Sequence, residues 1–472
     1  MDRQEDVHFT RCAGTKKKKR YELSINGLWY TGFQSAEGVP VKPTSCTFFT
    51  TDAPEIEKVE QTAETTTVFF RDYDQWYYAT IFFHGDPFFN SLRSPAIVGD
   101  KREQYWKADL TWLRNTLPSR HKNLFFKISR AEFLNRMDAL IGSIPDSDDR
   151  TLKAELIKII NAVGDSHTSV SFPGITLPVT FFIFEEGVFV DRIDARFPEY
   201  YGRKLTAVEG IPIEHVLERL QPFIHHDNAS YEKNALAGAL RSVERLYLAG
   251  IAGSETRIRY TFGDVDWVIS HKDLAGRGAQ EWLPKPEQSL LSQKNWDKNY
   301  WFQRLDGDVL YVKYNLCSIM KDYSVAAFME DVFKERNVRR MIVDLRDNVG
   351  GSSPLFAPFI AKMGKHPTLN TPENFKVIVG RKTFSSAMLN ALELKAQTNA
   401  AFIGEPTGSG VNHYGEVRRL VLSNIEGFLG YSTKYFKRSP NDDDALYPDI
   451  SVPLRAEEWF GGEDAFLEAA LR

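Results

Sequence analysis

The stretch Met341-Ile342-Val343-Asp344-Leu345-Arg346-Asp347-Asn348-Val349-Gly350-Gly351, read with Phe375-Lys376-Val377-Ile378-Val379-Gly380-Arg381-Lys382-Thr383-Phe384-Ser385-Ser386-Ala387-Met388, decides the fold. Each is a short apolar run that ends in turn residues and leads into a helical pattern. Between them, Pro354 to Lys362 is apolar at helical spacing. A β-α-β-α run predicts neighbouring parallel strands, hence an α/β fold whose core is a mixed, largely parallel sheet. Such sheets carry their sites at the carboxyl ends of the strands, where Gly351 and Ser385 fall. Paired glycines offer bare backbone N–H groups, and a serine opening a helix offers a hydroxyl at the positive end of a dipole. The pairing predicts a nucleophile facing an oxyanion hole. Ser385 is the expected nucleophile and Ser386 the alternative. Gly351, Gly350 and the N–H of Ser386 are the expected oxyanion donors. The competing reading is that Ser385 only caps a helix and that the glycines only permit positive φ.

Working outward, residues 105–163 carry helical spacing. Leu110, Leu113 and Leu117 share one face, as do Phe133, Met137, Leu140 and Ile141, and then Leu152, Leu156, Ile159, Ile160 and Val163. Asp146 to Asp149 form an acidic start to the third helix. It stops at Gly164-Asp165, and Ser166-His167-Thr168 follows. Histidine is the commonest general base near neutral pH, and neighbours here can fix its tautomer. His413 is a second candidate base. His225 and His226 are adjacent, so their side chains diverge and predict no metal site. Asp442, Asp443 and Asp444 supply carboxylates that can orient a base.

Strands are expected again at Val179 to Phe184, Val188 to Val190 and Arg257 to Phe262, with a tight turn at Glu209-Gly210 and a helix from Ile213. Residues 276–300 are polar and proline-containing, as a linker is. Runs such as Thr65 to Phe70 and Trp76 to Phe83 are dense in β-branched and aromatic residues. The expected organisation is a flexible basic tail over 1–20, containing Lys16 to Arg20, then a β-rich accessory domain over 21–100. A helical segment bearing the histidine turn follows over 101–170, a β region with a linker over 171–290, and an α/β core over 291–472.

The chain has 472 residues, 42% hydrophobic, with a net charge of −4. That balance gives no global attraction to nucleic acid or anionic membrane. Cys12, Cys46 and Cys317 lie too far apart in sequence for a disulfide framework or a metal knuckle. No run approaches the roughly 18 apolar residues of a membrane span. Met1 to Glu22 has no apolar signal core, so the chain as given reads as soluble, its compartment open: cytoplasmic, or exported with the signal absent from this chain.

Five of these stretches, in order, resemble the C-terminal processing (tail-specific) serine peptidases and the related tricorn core. Gly164-Asp165-Ser166-His167-Thr168 is similar to that family's histidine turn, and Asp344 to Gly351 to its strand end with paired glycines. Thr383-Phe384-Ser385-Ser386 is similar to its serine turn, Gly404-Glu405-Pro406-Thr407 to its Gly-Glu-Pro-Thr segment, and Pro448-Asp449-Ile450 to its closing motif. The resemblance covers residues 160–452 and leaves 1–100 outside. It implies ClpP/crotonase-like β-α units, a degenerate PDZ-like region around Gly202 to Pro212, and hydrolysis of peptide bonds. One design in the family uses a lysine base after the Gly-Glu-Pro-Thr segment. Here the corresponding position is Gly410, and no lysine occurs from Ala400 to Asn424. The resemblance therefore implies the tricorn-type set: Ser385 as nucleophile, His167 as base, Ser166 beside it, and a distal acid at Asp442, with Asp443 or Asp444 as alternatives. It implies a peptide or protein partner, no cofactor and no metal. A catalytically inactive peptide-binding scaffold and a serine esterase are the rival expectations.

Overall fold

In the computed structural model, residues 92–97, 101–270, 273, 282–284 and 290–472 are described, together with the backbone of six strands before them. Those strands form two three-stranded antiparallel sheets, within residues 7–50 and 55–82. The basic run expected as a tail falls largely outside the described residues.

The centre of the molecule is a six-stranded sheet. Its strands lie in the order Tyr300–Leu305, Val309–Tyr314, Arg340–Asp344, Phe375–Val379, Ala401–Gly404 and Ile450–Ser451. The first pair is antiparallel, and every later pairing is parallel. Register runs Val312↔Val343, Val343↔Val377 and Val377↔Phe402. These strands read as continuous apolar runs because both faces are covered. Alternate residues Leu310, Val312, Met341, Val343 and Val377 face one core with Phe328, Phe356 and Phe359. Tyr311, Ile342, Ile378 and Ile403 face the other, against Phe466 and Phe182. Each such side chain, fully buried, contributes about 1.5–3 kcal/mol.

The helical segment comprises Arg102–Arg120, Arg130–Gly142 and Asp149–Asn161. Asp148 caps the third helix, accepting from Thr151 N at 2.8 Å. The chain turns through Gly164 at φ +72° and enters strand Ser169–Ser171. That strand pairs with Gly427–Phe436, which pairs with His413–Leu422, the segment following the Gly-Glu-Pro-Thr loop. This ladder carries the histidine turn to the carboxyl edge of the central sheet. Residues 179–270, with strand Trp282–Leu283, add two smaller sheets, with the expected turn at Glu209 and Gly210 and a helix over Ile213–Leu220. No described helix is long and apolar enough to cross a membrane.

Candidate active site

The first strand exit, Leu345 to Gly351, is fixed by the wholly buried Asn348. Its Nδ2 donates to Tyr314 O at 2.8 Å, and its Oδ1 accepts from Gly350 N at 2.9 Å. Its own carbonyl accepts from Phe384 N at 3.0 Å, so one residue ties the glycine turn to the serine turn. Gly350 and Gly351 hold φ of +108° and +127°. A Cβ on Gly351 would lie 2.3 Å from Cys317 O, and one on Gly350 would lie 2.8 Å from Ser385 Cβ and 2.9 Å from Ser386 N. Gly350 was expected to be a donor. The structure gives it a different part: its N–H is taken by Asn348, and its missing side chain is what lets the two turns meet. Gly351 N–H and Ser386 N–H donate to nothing among the described residues.

Ser385 opens helix Ser386–Gln397 at φ +52°, ψ −122° and makes no capping bond with its side chain. Positive φ is costly for a non-glycine residue, by about 1–3 kcal/mol, and persists where the surroundings enforce it. The ordinary helix-cap reading therefore fails. The backbone here is braced by Ser409, whose Oγ accepts from Ser385 N at 3.1 Å. Ser386 is buried, and its hydroxyl donates to Gly351 O at 2.6 Å, so it is not available as the alternative nucleophile.

His167 lies against this turn. Its ring stacks on Phe384 at 4.4 Å between centroids and 18° between planes, and the His413 ring lies nearly parallel to it at 5.9 Å. His413 Nδ1 pairs with Gly410 O at 3.0 Å. Ser166 Oγ lies 3.3 Å from His167 Nδ1 and donates to Asp227 Oδ2 at 2.6 Å, while Ser166 N donates to Asp227 Oδ1 at 3.0 Å. A serine has one proton to give. Spent on Asp227, it leaves Oγ to accept from His167 Nδ1–H, which puts the free lone pair on Nε2. That atom is buried and has no hydrogen-bond partner, Ser385 Oγ included. Burial lowers the His167 pKa to about 4, against the opposing pull of Asp165. The ring is thus neutral at pH 7.

Asp165 organises the turn from beneath, accepting from Thr168 Oγ1 at 2.6 Å, His167 N at 2.9 Å and His121 Nε2 at 3.1 Å. Despite burial, the side-chain bonds from His121 and Thr168 help hold its pKa well below the usual carboxylate range. Asp227 behaves oppositely: burial pushes it up to about 6, only partly offset by the Ser166 bonds.

Asp442 stands elsewhere. It is exposed and accepts from Asn412 Nδ2 at 2.6 Å. Asp443 and Asp444 are also exposed, and the Asp444 carboxylate accepts from Tyr447 at 2.9 Å. The loop packs through its backbone, with Asn228 Nδ2 on Asp444 O at 2.6 Å, and turns its carboxylates to solvent. The acid that meets Ser166 is Asp227, 61 positions along the chain from it. Nothing local in the sequence marks it; the one available signal is its place beside Asn228, which caps helix Ala229–Ala239. Among the described residues no cluster of three or more His, Cys, Asp or Glu could hold a metal ion.

No family model matches the sequence, and no curated protein matches it. Solved structures do. Mature CPAF complexed with lactacystin aligns with 78% of this chain and 97% of its own, at 14% identity and a TM-score of 0.55. Mature CPAF alone aligns over 78% and 96%, with a TM-score of 0.54. The tricorn protease aligns over 96% of this chain and 45% of its own, at 14% identity and a TM-score of 0.39. The chain thus has the fold of mature CPAF.

Proposed function

We propose that the chain is a serine peptidase that hydrolyses peptide bonds by acyl transfer through a Ser-His site rather than a Ser-Lys one. The observation that carries this is His167: a buried neutral imidazole, its tautomer set through Ser166 by Asp227, with an unpartnered Nε2 beside the turn that holds Ser385 at positive φ. In this reading Ser385 Oγ attacks the scissile carbonyl as His167 Nε2 takes its proton. The N–H groups of Gly351 and Ser386 receive the oxyanion. His167 then protonates the leaving amine, and water reverses the sequence on the acyl-enzyme. Asp227 replaces the acid expected at Asp442. Residues 171–290 serve as the PDZ-like peptide-docking region in this proposal, and 291–472 as the catalytic core.

The missing bond between Nε2 and Ser385 favours a second reading, a peptide-binding scaffold that has lost catalysis. Catalytic hydrogen bonds are often open without substrate, which keeps the first reading ahead. A fluorophosphonate probe and a mixed peptide library read by mass spectrometry separate the two. Labelling and cleavage that vanish in Ser385→Ala and His167→Ala support the peptidase. Folded wild-type protein that neither labels nor cleaves leaves the scaffold.

A further inference from the structure

A cavity of about 410 Å³ lies on the far side of the ring stack from His167. Tyr231 lines it and stacks its ring on Phe384 at 4.5 Å, so the cavity is separated from the nucleophile turn by one aromatic layer. Its walls include the apolar Phe172, Phe223, Ile224 and Ala239 and the polar His225 and Asn234, and among them sit Glu244 and its neighbour Arg245. Glu244 is 94% buried, being 6% exposed, and its Oε1 has no hydrogen-bond partner. A buried carboxylate oxygen without a partner is costly, and proteins keep few of them.

The cations nearby are engaged elsewhere. Arg245, next on the same helix, donates to Phe223 O at 2.8 Å and Val170 O at 2.9 Å. Lys153 lies over the Phe172 ring, 5.2 Å from its centroid. Burial raises the Glu244 pKa to about 7, since Arg245 and Lys153 offset it only in part and Glu255 adds to it. Gly174 packs against the Glu244 side chain: a Cβ there would lie 2.7 Å from Glu244 Cβ and 3.3 Å from Oε2, so only glycine permits this close contact. A mixed apolar and polar cavity holding a carboxylate with one unpaired oxygen fits a long aliphatic stem with a cationic head.

We propose that this cavity receives a lysine or arginine side chain of the peptide substrate, with Glu244 as its counter-ion and the sequence position it reads close to the scissile bond. The assignment of that cation to a substrate rests on the peptidase reading; the cation site itself does not.

The test has two arms. In the first, wild-type protein and Glu244→Gln digest a mixed peptide library. Lysine and arginine enrichment at one position near the cleaved bond is expected in wild type and falls at least about tenfold in Glu244→Gln, with cleavage at uncharged sites retained as the fold control. Glu244→Asp, which keeps the charge, restores part of the preference. In the second arm, benzamidine is titrated calorimetrically into both proteins, without catalysis. Binding to wild type at least about tenfold tighter than to Glu244→Gln supports the site. Equal or absent binding in both overturns it, whatever the peptidase activity. Glu244-dependent binding in a protein that cleaves nothing keeps the cation site and removes the peptidase reading.

Discussion

Asp227 exerts its effect through a single proton. While ionised it holds the Ser166 hydroxyl hydrogen, and His167 must then carry its own on Nδ1. Protonated, it can donate to Ser166 Oγ, which turns the serine hydrogen toward Nδ1 and reverses the tautomer. The expected kcat/KM profile therefore falls in two steps as pH drops. The first is near 6, as Asp227 protonates, and the second near 4, as His167 does. In Asp227→Asn the upper step should vanish and the plateau should lie on the order of 10²- to 10⁴-fold lower. A single step in wild type that Asp227→Asn leaves in place would remove Asp227 from the mechanism. Glu244 makes a separate prediction for stability. Its folded pKa is raised from 4.5 to about 7, so the native state binds its proton more tightly than the unfolded chain does. That stability is fully present below about pH 4.5 and is lost as pH rises through 7. Glu244→Gln should gain on wild type across this window by on the order of 2–3 kcal/mol, read by denaturant unfolding at several pH values.

At the scale of elements, the two strand exits depend on close backbone approach. Gly351→Ala would place a Cβ 2.3 Å from Cys317 O at φ +127°. It should destabilise by at least about 2 kcal/mol in denaturant unfolding and, if the proposed mechanism holds, abolish cleavage, because the N–H assigned there to the oxyanion moves with the clash. Gly238→Ala is the contrasting case. It lies exposed in helix Ala229–Ala239, where an added Cβ meets nothing within 4 Å. That change should stabilise by about 0.5–1 kcal/mol. An equal effect of the two alanines would mean that the turns do not need their glycines. Much of this was readable in advance. Both strand-to-helix turns, the helix ending at Gly164 and the Glu209-Gly210 turn are local patterns, and each element formed where its own residues favour it. The donor role given to Gly350 was not settled by pattern, because Asn348 folds back onto that N–H within the turn.

Across the whole molecule, buried ion pairs join distant segments to the central sheet. Arg346 is 5% exposed, bonds Asp344 in its own strand exit and reaches Asp464 at 2.6 Å, which caps the last helix. Arg381 joins the serine turn to Glu405 and to Ile183 O in the smaller sheet. Removing one partner leaves buried charge uncompensated, so Arg346→Leu should cost about 3–5 kcal/mol. Lys395→Ala breaks a half-exposed pair with Asp449 and should stay within about 0.5 kcal/mol. Comparable losses in chemical denaturation would contradict this account of the interior. By itself the sequence determined the parallel α/β core, the serine at its turn and the Ser166-His167 pair, because apolar periodicity and turn chemistry act over a few neighbouring residues. Only the tertiary structure decided which carboxylate meets Ser166 and which cavity lies near the turn. Asp227 and Asp442 are indistinguishable as isolated acids; packing buried one against Ser166 and left the other in water.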